Sequence, residues 1–265
     1  MKFYDAHNHL QDDRFAGRQD EIVSASRAAG VAKMVVNGAC ESDWPAVLEL
    51  ARRHPGLVIP SFGCHPWYIG ERTANWERNL RGFLDAVPSA VGEIGLDRWK
   101  PDLPWAGQEE VFIAQLRIAA GRNLPVSIHC LQAWGRLVEI LESEPQPARG
   151  FLLHSFGGST ETMERLAPLG AYFSLPGHFA HERKSKQRET FLRVPPDRLL
   201  IETDAPDQMP PPDRITHPLA GADGQPLNHP ANLRAIYEFA AELFGEPLAS
   251  FAARIEKNFS RFFNR

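Results

Sequence analysis

The stretch FYDAHNHL, residues 3–10, is a short apolar run that carries Asp5, His7 and His9. In a β-strand, side chains two positions apart project from the same face. His7 and His9 are therefore predicted to point the same way, about 6–7 Å apart along the strand. Two imidazoles on one face can share a metal ion. The stretch thus predicts a first strand with two candidate metal ligands at its end.

Short apolar runs of the same kind recur along the chain and alternate with longer helical patterns. The predicted strands cover 3–7, 32–38, 57–63, 90–96, 125–130, 150–156, 171–176 and 198–204. Helices are predicted within 18–30, 42–56, 108–123, 159–170, 231–245 and 247–265. Eight strand-then-helix units in 265 residues predict an α/β fold of the (β/α)8 or TIM-barrel type, as a single domain over residues 1–265.

The composition excludes several classes of protein. A net charge of −4 and a pI near 6.2 lack the basic excess of proteins that hold DNA non-specifically, so nucleic-acid contact would need a local patch or a metal site. The cysteines Cys40, Cys64 and Cys130 have no CxxC spacing, which disfavours a disulfide scaffold and favours a reducing cytoplasm. No apolar run approaches the ~20 residues that a transmembrane helix needs, and no signal-peptide pattern begins the sequence. A cytoplasmic protein without membrane attachment is therefore expected.

The strongest signal for function lies at the predicted strand ends, because barrel enzymes place their chemistry at the C-terminal ends of the strands. Six of the eight strands end in a side chain of metal-ligand type: His7 and His9, His65, Glu93 and Asp97, His129, His154, and Asp204. Imidazoles and carboxylates suit Zn²⁺, Mn²⁺ or a similar divalent ion. The set exceeds the needs of one tetrahedral ion, which predicts two ions about 3.5–4 Å apart with a bridging carboxylate. Glu93, on the fourth strand, is the candidate bridge.

The segments that carry these residues also resemble a known family. DAHNHL, GCHPW, VGEIGLD, LLHSFGG and LLIETDAP are similar, in order, to the motifs of TatD-family metal-dependent hydrolases, in the amidohydrolase superfamily. The resemblance runs from the first strand to NFSRFF, near residue 260. It implies a (β/α)8 barrel, a divalent-metal centre holding Zn, Mg or Mn and, as in several members, deoxyribonuclease activity.

The resemblance also implies roles for individual residues. His7 and His9 would bind one metal ion, while His129 and His154 would bind the second. Glu93 would bridge the two ions. Asp204 would be a metal ligand that also orients or deprotonates the attacking water. His65 would contact the phosphate or another part of the substrate.

These roles predict a hydrolase that acts on a phosphodiester such as DNA, with trimming from the 3′ end favoured over cutting inside a duplex. Two departures from the family pattern fall where substrate would be contacted. IHCLQAW, residues 128–134, lacks the arginine that often follows the fifth strand, and LNHP, residues 227–230, replaces the usual Asn-Glu-Pro. An amidohydrolase or lactonase acting on a small metabolite is therefore the alternative. A catalytically silent scaffold is disfavoured, because a scaffold has no use for six ligand-type residues.

Other residues carry two readings each. Asp97 either ties down its loop or lies in the site, and Glu202 is either a partner of a metal-binding histidine or part of a buried structural pair. Cys64 and Cys130 are expected to be buried away from the ligands. His178 and His229 are expected in loops near the substrate or without a role, and His54, His181 and His217 at the surface.

Two larger groups also lie in predicted loops. The basic side chains of residues 182–189 form either a solvated helix face or a phosphate contact: Arg183, Lys184, Lys186 and Arg188. Five aromatic side chains either stack on bases or cover the barrel mouth: Trp67, Tyr68, Trp99, Trp105 and Trp134. The Pro- and Gly-rich stretch 205–231 is too long for an ordinary connection and is predicted to be functional.

Overall fold

The fold is built around eight parallel strands that follow one another in chain order in one sheet. The structure, a computed structural model, describes residues 1–263. The strands are β1 (Phe3–Asn8), β2 (Val31–Asn37), β3 (Val58–Phe62), β4 (Ala90–Asp97), β5 (Val126–Leu131), β6 (Phe151–Leu153), β7 (Ala171–Pro176) and β8 (Leu199–Glu202). Each lies within two residues of its predicted start, because the strands are short and almost fully buried, and so read as apolar runs with clear limits.

The first and last strands meet just beyond the end of β8. The Asp204 N–H donates to the His7 carbonyl at 2.9 Å, and the His9 N–H donates to the Ala205 carbonyl at 2.7 Å. The side chain of Asp5 adds to this closure, because it accepts hydrogen bonds from the N–H and the hydroxyl of Thr203 at 2.9 and 2.6 Å. The predicted (β/α)8 barrel is therefore confirmed.

Helices surround the sheet and connect its strands. Within residues 1–263 they are α1 (Gln19–Ala28), α2 (Trp44–Arg53), α3 (Trp76–Ala86), α4 (Trp105–Arg122), α5 (Trp134–Ser143), α6 (Thr160–Leu166), α7 (Ser185–Phe191), α8 (Leu233–Phe244) and α9 (Leu248–Phe263). Every predicted helix is present, and the prediction for positions 264 and 265 lies outside the described residues. α3 and α5 were not predicted, although buried leucines recur at four-residue spacing in both of them, and α7 was considered only as one of two alternatives for residues 182–189.

The barrel interior changes from apolar to polar along its axis. One buried cluster joins strand residues such as Tyr4 and Leu200 to Phe259 of α9, and so closes the N-terminal end. Residues two apart on a strand share a face, so Glu202 follows Leu200 on the same side. The interior thus leads from a packed apolar base to buried polar side chains near the opposite end, where Glu93 and Glu202 lie.

Two hydrogen bonds from α9 link this base to β8 and to the residues before it. The buried side chain of Asn258 donates to the carbonyls of Pro196 and Leu199, both at 2.9 Å. We expect Asn258→Ala to lower the free energy of unfolding by about 1–3 kcal/mol, because two hydrogen bonds are lost, although the Pro196 carbonyl keeps the one from Arg254. Lys257→Ala removes an exposed neighbour and serves as the control. Urea denaturation measures both, and equal values for the two variants would contradict the assigned role.

Candidate metal centre

The carboxylate of Glu93 lies at the centre of a buried group of histidines. Its Oε2 atom is 3.3 Å from Nε2 of His7 and 3.1 Å from Nε2 of His9. Its Oε1 atom faces the other way, at 3.1 Å from Nδ1 of His129 and 2.7 Å from Nε2 of His154. The two oxygens of one carboxylate therefore face different pairs of imidazoles, and the rings of His7 and His154 are stacked on each other with their centres 4.0 Å apart.

His7 on β1 and His9 just after it each have a hydrogen-bond partner at Nδ1, the ring nitrogen that does not face Glu93. Nδ1 of His9 lies 2.8 Å from the Asn37 carbonyl, which can only accept a hydrogen bond. The neutral His9 ring therefore carries its proton on Nδ1 and presents the Nε2 lone pair to the site. Nδ1 of His7 lies 2.8 Å from the hydroxyl of Ser127 on β5. The two Nε2 atoms are only 3.3 Å apart.

Asp97 fulfils both of the roles considered for it. Its Oδ2 atom lies 2.8 Å from Nε2 of His129, so that Nδ1 of this ring faces Glu93. Its Oδ1 atom accepts hydrogen bonds from the N–H groups of Trp99 and Lys100, at 2.7 and 3.0 Å. Asp97 therefore orients a candidate ligand and holds the following loop.

Glu202 likewise fulfils both of the roles considered for it, as a buried structural residue and as a neighbour of a candidate metal ligand. Its Oε1 atom accepts hydrogen bonds from the N–H and the hydroxyl of Ser155, both at 2.7 Å, and Oε2 accepts one from Ser174. The same Oε1 atom lies 3.8 Å from Nδ1 of His154. Glu202 is thus satisfied by neighbouring strands while it stands beside a candidate ligand.

Asp204 completes the set on the side of His7 and His9. Its Oδ1 atom is 3.6 Å from Nε2 of His7 and 3.7 Å from Nε2 of His9. Its backbone adopts φ 52°, a left-handed conformation that is uncommon for residues other than glycine and that recurs at functional sites. Asp204 leaves the barrel wall at this turn, just after β8.

Burial and charge set the protonation of these groups. Burial, with the charge of His154, lowers the pKa of His7 to about 4. Burial alone would lower the pKa of His9 too, but the hydrogen bond to Glu93 and nearby carboxylate charges raise it to about 9. Burial and the charges of Glu202 and Glu93 raise the pKa of Asp204 to about 8. Histidine nitrogens and carboxylate oxygens, all of which can accept a proton, therefore lie close together around Glu93.

A divalent cation fits this donor set. Three groups have one ligand atom per residue, all within 4.8 Å of one another: His7, His9 and Asp204; His7, His154 and Glu202; His65, Glu93 and His129. Neutral imidazole nitrogens and carboxylate oxygens are the ligands that zinc and similar ions take. A bound cation would balance the charge of these carboxylates, which without metal must share protons with the neighbouring histidines.

The site opens into a cavity of about 400 Å³, within the usual size of small-ligand pockets. His65 lines it, with Nε2 3.3 Å from Oε1 of Glu93. Among the described residues that line the cavity there is no lysine or arginine. The other lining residues are His9, Trp67, Glu93, Trp99, His129, Cys130, Leu131, His154, Ser155, Asp204, Asp207 and Gln208. The last two come from the irregular stretch 205–231.

Several candidates lie outside this lining. The basic group of residues 182–189 does not reach it, and Arg188 donates to the carbonyls of Phe179 and His181. Nδ1 of His229 accepts a hydrogen bond from the Ala231 N–H, and so caps a short helical turn. Cys64 and Cys130 are both buried and take part in none of the three possible metal groups, but Cys130 lines the cavity beside His129 and only Cys64 lies outside it.

Two supports of the site were not predicted from the sequence. Ser127 precedes His129 by two residues on β5, so strand alternation was an available signal for it. The carbonyl of Asn37 has no such signal, because every residue carries one. Only the three-dimensional arrangement shows that it faces His9.

Imidazoles and carboxylates that converge at the C-terminal ends of barrel strands are the architecture of metal-assisted hydrolysis. The model of the family of TatD-related DNases matches residues 4–264, and the chain belongs to this family. No helix within residues 1–263 is long and apolar enough to cross a bilayer.

Individual relatives agree with this membership. The chain is 34% identical over 263 residues to the 3′-5′ ssDNA/RNA exonuclease TatD of Escherichia fergusonii, covering 98% of each chain. It is 30% identical to the metal-dependent hydrolase YjjV of Escherichia coli K12, over 99% of this chain and 98% of YjjV. The crystal structure of YjjV superimposes with a TM-score of 0.86, and covers 99% of this chain and 98% of that one.

Proposed function

We propose that this protein is a metal-dependent phosphodiesterase that removes nucleotides from the 3′ end of single-stranded nucleic acid, DNA above all. The observation that carries the proposal is the position of Glu93, with one carboxylate oxygen facing His7 and His9 and the other facing His129 and His154. A relative named as a 3′-5′ ssDNA/RNA exonuclease supports the choice of substrate.

The geometry suggests how the residues would share two ions of Zn, Mg or Mn. His7, His9 and Asp204 would hold one ion, His129 and His154 the other, and Glu93 would contact both. Bound there, the ions would acidify a water molecule and stabilise negative charge on the substrate's oxygens. The ions would supply the positive charge that a phosphate substrate needs, because no described lysine or arginine lines the cavity.

The chain's own side chains would direct the reaction. Asp204 lies at the open side of the histidines, where its carboxylate can orient the attacking water and accept its proton. His65 lines the cavity and can donate a hydrogen bond to a phosphate oxygen. Ser127, the Asn37 carbonyl and Asp97 hold three of the imidazoles, so that the site is arranged before substrate arrives.

The shape of the cavity favours a strand end as substrate. A space of about 400 Å³ at the end of a barrel can admit a terminal nucleotide, and we expect a strand end to reach Glu93 more easily than an intact duplex. The net charge of −4 gives no long-range attraction to DNA, so affinity must arise within the site.

The substrate class can be tested with the metal-loaded protein and two sets of compounds. A single strand labelled at its 5′ end should be shortened stepwise, whereas a panel of amides and lactones should remain intact. Turnover of a lactone or amide with the DNA unchanged would replace the nuclease by the small-molecule hydrolase. A protein with no activating or tightly bound divalent ion would support the silent scaffold.

Metal binding should depend on pH. Without metal, the raised pKa values of His9 and Asp204, about 9 and about 8, keep both groups protonated at neutral pH. An ion must displace these protons, so we expect its affinity to rise between about pH 6 and pH 8, by about tenfold per pH unit for each proton released. Calorimetric titration with Mn²⁺ in buffers of different ionisation enthalpy measures the affinity and the protons. A pH-independent affinity with no proton release would contradict this expectation.

A further inference from the structure

An apolar surface adjoins the candidate metal centre at the mouth of the cavity. The ring centre of Trp67 lies 6.2 Å from that of His129. The ring of Trp99 lies 6.3 Å from that of Trp67, with the two planes 29° apart. Trp99 is 58% exposed, and Leu131, which also lines the cavity, is 39% exposed. We call Trp67 and Trp99 the aromatic wall.

The aromatic wall is held by the same carboxylate that orients a candidate ligand. Oδ2 of Asp97 accepts hydrogen bonds from the indole N–H of Trp67 at 2.7 Å and from Nε2 of His129 at 2.8 Å. Oδ1 accepts one from the backbone N–H of Trp99. The indole of Trp67 and the backbone of Trp99 therefore have fixed positions relative to the metal centre, and a surface that is arranged in advance loses less entropy when it binds a ligand.

The exposed side chain of Trp99 adds little to the packing of the core, so a role other than stabilising the fold has to be considered. Tryptophan is among the more buried residue types, and an exposed apolar surface beside a polar cavity marks a place where a ligand binds. The Nζ atom of Lys100 lies 4.7 Å from the ring centre of Trp67, so a cation stands beside the wall. These features correspond to three parts of a nucleotide substrate. The flat apolar face suits a base, the nearby cation suits a backbone phosphate, and the adjacent metal centre suits the bond to be cleaved.

We propose that the aromatic wall is a stacking subsite for the 3′-terminal nucleobase of a single strand, with Trp99 as its main platform. This inference rests on the proposed nuclease function and gives that function its selectivity. Every base has a π-face, so stacking on an indole tolerates any base but gives a base-free amide or lactone nothing to stack. The site would then select nucleotides without reading their sequence.

The test measures binding rather than turnover. The probes are two short oligothymidylates labelled at the 5′ end, in the presence of Mn²⁺, with a slowly cleaved phosphorothioate as the last linkage. One keeps its 3′-terminal base and the other lacks it. Fluorescence anisotropy gives the dissociation constants for the wild type, Trp99→Ala, Trp99→Phe and the control Leu192→Ala, which removes a side chain that is 53% exposed away from the cavity.

We expect Trp99→Ala to weaken binding of the complete strand about tenfold, while Trp99→Phe retains most of the affinity and Leu192→Ala all of it. The base-free strand should bind the wild type weakly and lose nothing more in Trp99→Ala, because the two changes remove the same contact. Equal affinity of wild type and Trp99→Ala for the complete strand would overturn the subsite and leave the nuclease function intact. A metal-loaded wild type that binds neither strand would overturn both.

Discussion

Asp204→Asn should lower the turnover of a 5′-labelled single strand by about 10²–10⁴-fold while the fold is retained. The amide has nearly the shape of the carboxylate but cannot accept the proton of the attacking water. It also removes a negative charge beside Nε2 of His7 and His9, which lie 3.6 and 3.7 Å from Oδ1. Turnover numbers at saturating metal and DNA, with a thermal melt to verify folding, measure the effect.

Asp197→Asn is the matched control for this change. Asp197 lies on the exposed surface before β8, at the opposite end of the same strand, and should have no effect on turnover. Wild-type turnover in Asp204→Asn would show that another group directs the water. A loss that disappears at higher metal concentration would assign Asp204 to ion binding alone.

Glu93→Gln should abolish activity and remove bound metal. Glu93 is the residue whose two oxygens face separate pairs of imidazoles, at 2.7–3.3 Å. An amide offers one weak oxygen ligand and one N–H₂ group, so it cannot contact two cations. We expect the metal content to fall by at least about one ion per chain and the activity to fall below detection. Elemental analysis after dialysis measures the first quantity.

Glu142→Gln, which alters an exposed carboxylate paired with Arg165, controls for the general effect of removing a charge. Its metal content should equal that of the wild type. Full metal content in Glu93→Gln would remove Glu93 from the centre and with it the proposal of a shared carboxylate.

The sequence predicted the barrel and the meeting of its ligand-type residues for one physical reason. Parallel strands place their C-terminal ends at one end of a barrel, so a histidine or carboxylate at each end must approach the others. His154, just after β6, and Asp204, just after β8, lie far apart in the chain and nevertheless both reach the site. The order of motifs supported the same arrangement independently.

What the sequence could not predict are contacts that depend on exact geometry. The role of the Asn37 carbonyl cannot be recognised from the sequence, because every residue has a backbone carbonyl. The dual roles of Asp97 and Glu202 depend on the direction in which each carboxylate oxygen points. The aromatic residues were also left undecided, because only the structure separates Trp67 and Trp99, at the cavity, from Trp134, which packs against Phe156.

The central claim is that divalent cations lie between the histidines around Glu93, and crystals grown with Mn²⁺ test it most directly. An anomalous difference map should show two peaks about 3.5–4 Å apart. One should contact His7 and His9, the other His129 and His154, and both should contact Glu93. A map from metal-saturated crystals with no peak next to Glu93 would contradict the claim.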